Sequence, residues 1–158
     1  MRKQPIWIII FTIVLDTLGI GILVPVVPQL LGNPASPHYL LSGAASRGSG
    51  YIMLGFLVAM YPIMQFFSTP ILGQLSDRHG RKPILALSLL GTSFGYVLFA
   101  LGIVLRNIPL LFFARALDGV TGGNLSVAQA AIADVTAPSE RTKNFGLIGA
   151  AFGVGFIL

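Results

Sequence analysis

The sequence predicts an all-α, polytopic membrane protein. Three observations carry that prediction. Of 158 residues, 54% are hydrophobic and only 9% are charged, whereas soluble domains carry about 25% charged residues. The mean hydropathy is +0.85. The apolar residues also fall into five long runs, at 6–31, 51–75, 84–105, 108–135 and 145–158, separated by short polar segments. About 20 apolar residues cross a bilayer core as helix. The first four runs therefore read as spanning helices and the fifth as the start of one. A disordered chain is excluded. So is a soluble globule, which at this size would leave a large apolar surface in water.

The first run, 6–31, would extend about 39 Å as helix. That exceeds a core of about 30 Å, so tilting or kinking is expected, with Pro25 and Pro28 as the kink sites. Its length and the internal Asp16 exclude a secretory signal peptide. Residues 32–50 are rich in Gly, Ser and Pro and form a loop. In the second run, Tyr61 and Gln65 share a helical face at i, i+4, and Met53, Met60 and Met64 supply soft apolar surface. The tight polar segment 73–83 precedes the third run. Gly80 permits a positive φ there, and Pro83 suits the first turn of the next helix. The fifth run is still apolar at Leu158 with no helix stop, and about 22 Å of helix from Asn144 falls short of a full crossing. The chain is therefore expected to stop mid-helix, with the rest of a larger protein missing.

Charge is distributed unevenly between the two sides. Arg2, Lys3, Arg78, Arg81, Lys82, Arg141 and Lys143 fall on one side, Arg47 and Arg106 on the other, and Arg115 lies within a span. This asymmetry puts the N-terminus in the cytoplasm. It also accounts for the net charge of +5 without nucleic acid as a partner. There is no cysteine, and His38 and His79 lie in separate polar segments, so no metal site is predicted. No phosphate loop, nucleophile–base set or paired carboxylates occur, so neither an enzyme nor a cofactor is predicted.

Three ionisable residues lie inside apolar runs: Asp16, Arg115 and Asp118. Each costs about 2.5–3.5 kcal/mol at mid-bilayer, which makes it a functional candidate. Asp16, near the middle of the first run, either holds a proton or pairs with a cation on another helix. Arg115 and Asp118 can pair at i, i+3. At about 100° per residue, Gly122, Ser126 and Gln129 continue their stripe. Such a stripe faces a water-filled cavity or packs tightly through small residues. Asp16 and Asp118 are thus candidates to hold a proton, with Arg115 beside Asp118, and Tyr61, Gln65, Ser126 and Gln129 are candidates for lining a cavity. Gly146, Gly149 and Gly153 would allow close helix packing.

The segment GQLSDRHGRKPIL (73–85) resembles the loop between helices two and three of the major facilitator superfamily. Gly73, Asp77, Arg78, Gly80, Arg81 and Lys82 are all in place. FARALDGVTGG (113–123) resembles that superfamily's fourth-helix motif at Arg115 and Gly119. LDTLGIGILVPVVPQLL (15–31) and YPIMQFFSTPILG (61–73) are similar to the drug:proton antiporters, above all the tetracycline-efflux branch. GAAFGVGFIL (149–158) is similar to the start of the fifth-helix antiporter motif. The resemblance implies a twelve-helix carrier in a bacterial inner membrane, of which these residues are an N-terminal portion. It implies alternating access around a midplane site, protons as the coupling ion, and export of small amphipathic compounds such as drugs.

By the same resemblance, Arg115 supports proton coupling and Asp16 lines the cavity. Arg81 pairs with Asp134 in a cytoplasmic latch, beside Asp77 and followed by Arg141. Two positions depart from the pattern. The usual Gln of the fourth-helix motif is Asp118, and the acid that tetracycline carriers hold before a helix-three Tyr is Gly95. A metabolite symporter of the same superfamily and a truncated, non-transporting membrane protein are the alternative functions.

Overall fold

A computed structural model describes residues 6–41 and 47–157, except for the side chain of Arg47. Arg2, Lys3, the Arg47 side chain and Leu158, which entered the charge count and the reading of the chain's end, lie outside the described residues. Six α-helices follow in order: α1 (Ile6–Leu31), α2 (Arg47–His79), α3 (Arg81–Val104), α4 (Ile108–Thr121), α5 (Asn124–Val135) and α6 (Arg141–Ile157). Three stretches, Ile6–Leu31, Gly48–His79 and Arg81–Val104, are each long and apolar enough to cross a membrane. α3 packs along α4, α2 along α4, and α1 along α6.

α1 covers the first predicted run and continues through Pro25 and Pro28. α2 is longer than its apolar run at both ends, because nothing in its polar last turn stops a helix before Gly80. Gly80 has φ 92° and ψ 153°, a region essentially reserved for glycine, and α3 begins at the next residue. At the other end of α3, Arg106 takes a left-handed φ of 50°. The Asn107 amide donates to Gly102 O at 2.9 Å, closing the helix. Asn107 then caps α4, its Oδ1 accepting from the Leu110 amide at 3.1 Å.

The fourth run, 108–135, is not one helix. It breaks at Gly122–Gly123 into α4 and α5. α2 crosses so closely here that a Cβ on Gly119 would sit 2.5 Å from Tyr61 O, and one on Gly122 2.5 Å from the Tyr61 hydroxyl. A break inside hydrocarbon leaves backbone groups that must find partners, and α2 supplies them. Gln65 Nε2 donates to Gly122 O at 2.7 Å, and Ser68 Oγ to Gly119 O at 3.2 Å. Gly119→Ala drives a methyl into backbone that cannot yield, so it should lower stability by about 1–3 kcal/mol, read as a depressed unfolding midpoint.

Two apolar cores stabilise the bundle. One gathers Ile9, Ile13, Ile84, Val127, Ile132 and Ile148. The other gathers Leu23, Val27, Leu57, Phe99 and Leu111. In α1, α2 and α3, Asp16, Gln65 and Thr92 lie between the residues given to the two cores, so a polar layer is held at mid-height. The outer faces are apolar, with Trp7, Phe11, Phe66, Leu90 and Val104 exposed, as lipid contact requires.

Gly146, Gly149 and Gly153 pack closely against nothing among the described residues. A Cβ on any of the three would meet nothing within 4 Å. α6 reaches α1 through Gly155 instead, where a Cβ would lie 2.6 Å from Thr17 Cβ and 3.0 Å from Val14 O. Glycine spacing marks where approach is possible, and the face that α1 meets is the one carrying Ile148, Ala151 and Gly155. Gly149→Ala should accordingly change stability by less than about 0.5 kcal/mol, in contrast with Gly119→Ala.

Candidate functional site

The polar layer begins with α4. Arg115 and Asp118 are 8% and 3% exposed, and Arg115 NH1 donates to Asp118 Oδ2 at 2.9 Å. The guanidinium lies 4.8 Å from the centre of the Tyr61 ring on α2, within cation–π range. Arg115 Nε has no hydrogen-bond partner among the described residues. Thr92 and Thr121 hydroxyls meet at 3.2 Å and tie α3 to α4 beside the pair. Gly95 of α3 backs onto Asp118, where a Cβ would lie 3.3 Å from Asp118 Cβ.

Asp16 on α1 differs from Asp118. It takes part in no ion pair among the described residues, and its carboxyl is buried beside the side-chain amide of Asn124. It lines a cavity of about 160 Å³ together with Thr17, Tyr61, Gln65, Gly122 and Asn124. On its other side, a cavity of about 490 Å³ between α1 and α3 includes Thr92 and Tyr96. Asn124 was not singled out from sequence. It is 2% exposed, and its side chain faces the Asp16 carboxyl. A lone amide directly after Gly-Gly inside an apolar run was the available signal.

The stripe projected from Arg115 to Gln129 is divided by the break between α4 and α5. Arg115 lines a cavity with Tyr61 and Val58, whereas Ser126 and Gln129 line another with Gln65, Phe66 and Thr69. Tyr61 and Gln65 join these spaces, and Gln65 Nε2 also lies 3.3 Å from the Tyr61 hydroxyl. Asp16, Gln65 and Arg115 therefore do not share one face. Asp16 and Gln65 line one cavity, and Arg115 lies behind Tyr61.

At the end of the bundle bearing Gly80, Arg81 is a hub. Its NH1 lies 2.6 Å from Asp77 Oδ1, its Nε 3.1 Å from Asp134 Oδ2, and its NH1 donates to Ser76 Oγ at 2.6 Å. Asp77 and Asp134 are more than half exposed, so these pairs contribute little to stability. They do fix the ends of α2, α3 and α5 relative to one another. Arg78 and Arg141 are exposed, and Gly73 has open space around it. Among the described residues no group of His, Cys, Asp or Glu could hold a metal ion.

The family model of the Major Facilitator Superfamily matches residues 7–158. Tetracycline resistance protein, class H, of Pasteurella multocida is 41% identical over 158 residues, which is 100% of this chain and 36% of that protein. The class D protein of Salmonella ordonez is 43% identical over 157 residues, 99% of this chain and 36% of that protein. The chain therefore spans about a third of the length of these relatives. The crystal structure of the human organic anion transporter MFSD10 (TETRAN) superposes with a TM-score of 0.76 at 27% identity, covering 97% of this chain and 40% of that one. The spanning helices make this an integral membrane protein, and the match over nearly its whole length shows that the chain belongs to the Major Facilitator Superfamily.

Proposed function

We propose that these residues are the N-terminal part of a proton-coupled efflux carrier for small amphipathic compounds, set in a bacterial inner membrane with its N-terminus in the cytoplasm. The observation that carries this reading is the solitary Asp16. The polar layer holds one cation, Arg115, and two acids, and Arg115 is committed to Asp118. A second carboxylate in that layer is one negative charge too many for a low-dielectric interior. A proton on Asp16 removes the excess, and its loss returns it. A charge that comes and goes beside the cavity shifts the balance between two orientations of the carrier.

The names of the relatives support small organic cargo, since two are tetracycline resistance proteins and one an organic anion transporter. Export rather than uptake rests on the resistance proteins. Arg81 with Asp77 and Asp134 serves as a latch that holds one orientation, broken when the ends of the helices separate. Gly146, Gly149 and Gly153, open on α6, would face the second half of the carrier. Tyr61, Gln65, Ser126 and Gln129 supply this half's share of the substrate cavity.

In a host stripped of drug pumps, the carrier should lower steady-state ethidium accumulation severalfold, and a protonophore should restore it. Accumulation that ignores the protonophore contradicts proton coupling.

A further inference from the structure

α5 joins two charged places in the molecule. At its start, Asn124 is 2% exposed and its side-chain amide faces the Asp16 carboxyl of α1. Both residues line the same small cavity. At its end, Asp134 Oδ2 lies 3.1 Å from Arg81 Nε of α3. The two contacts are about 15 Å apart along the helix, at 1.5 Å per residue. Side chains that far apart act independently unless something rigid connects them.

The connection is α5 itself, because the chain lets it move apart from α4. Gly122 and Gly123 have ψ of −1° and 7°, far from the −42° of an α-helix, so the helix is interrupted between them. The two pieces also belong to different cores. α4 gives Leu111 and Ala114 to one, and α5 gives Val127, Ala131 and Ile132 to the other. α4 is pinned by the contact of Thr92 with Thr121. Among the described residues, α5 makes its polar side-chain contacts with other helices at its two ends, whereas Ser126 turns back to Gly123 O.

We propose that Asn124 is the positioning residue that ties the Arg81 latch to Asp16, with α5 as the rod between them. A carboxylate holds the amide by a charge-assisted hydrogen bond, about twice as strong as a neutral one. Once Asp16 is neutral, the hold slackens, and α5 shifts and carries Asp134 away from Arg81. A shift of about 1–2 Å, ordinary for packed helices, takes a 3.1 Å contact out of hydrogen-bond range. The ionisable groups around Asp16 are Tyr61 of α2, Tyr96 of α3 and the Arg115–Asp118 pair of α4, and α6 presents the neutral Phe152. None of these lies on α5, so Asn124 is the route to Asp134.

The part that the rod plays in export rests on the carrier reading, whereas the rod itself is tested by amide hydrogen exchange, which reads local opening. The full-length carrier is purified in detergent and exchanged at one pH. Exchange at 130–136, the far end of α5, is compared with exchange at 108–121 in α4. Asp16→Asn should speed exchange at 130–136 about threefold, and Asn124→Leu and Asn124→Ala about tenfold, the value of one hydrogen bond. Asp16→Asn should add nothing in either Asn124 variant. Arg81→Gln should speed the same segment directly, and α4 should not change in any variant. No change at 130–136 in Asp16→Asn or in Arg81→Gln overturns the rod. So does a threefold effect of Asp16→Asn that persists without Asn124, or an equal rise in α4, which marks general loosening. Failure of both Asn124 variants to fold assigns Asn124 to structure and also overturns it. The expected exchange pattern without ethidium export overturns the carrier reading and leaves the rod standing. Export without the pattern does the reverse.

Discussion

Arg115→Leu will destabilise the protein by about 3–5 kcal/mol, and Arg115→Leu combined with Asp118→Leu will recover most of that loss. The two side chains are almost wholly buried and meet at 2.9 Å. Removing the guanidinium strands a buried carboxylate between two apolar cores. Removing both leaves similar volume and no charge, an exchange that is often neutral or favourable for a buried pair. The lost contact with the Tyr61 ring, about 0.5–2 kcal/mol, is common to both variants and cannot account for a difference between them. Unfolding midpoints of the two single variants and the double variant in detergent close the cycle. A double variant no more stable than Arg115→Leu contradicts the pairing as the main interaction. Both variants should lose export, so stability and transport separate only in the double variant.

Asp16→Asn will fold as the wild type does and export nothing against a gradient. The amide fills the same volume, and no ion pair is broken, because Asp16 has none. What it removes is the ability to change charge. The expected outcome is an unfolding midpoint within about 0.5 kcal/mol of the wild type, with ethidium accumulation equal to that of cells lacking the carrier. A collapse of the fold would instead assign Asp16 to structure.

Local spacing made part of this arrangement readable. The Arg115–Asp118 pair follows from i, i+3 placement on one helix, and the bounds of α1 follow from composition. The contact of Arg81 with Asp134 joins residues far apart in the chain, and only the motif resemblance brought them together. The break at Gly122–Gly123 was not readable, because glycine is common in unbroken membrane helices. The crossing of α2 at Tyr61 accounts for glycine at 119 and 122. Once the helix breaks, a stripe counted at a constant angle loses its phase, which is why Ser126 and Gln129 part from Arg115. The same limit explains α6. Small residues permit contact on several faces, and which face is used depends on where α1 lies. Asn124 escaped notice because an amide has no pattern of its own until its contact with Asp16 on another helix is seen.

Proton-coupled exchange at Asp16 is tested most directly in everted membrane vesicles whose interior has been acidified. Adding ethidium to vesicles bearing the wild-type carrier should release protons and discharge the gradient, read by a pH-sensitive dye. Vesicles bearing Asp16→Asn should show no ethidium-dependent release. Release from Asp16→Asn equal to that of the wild type contradicts the assignment of the coupling proton to Asp16.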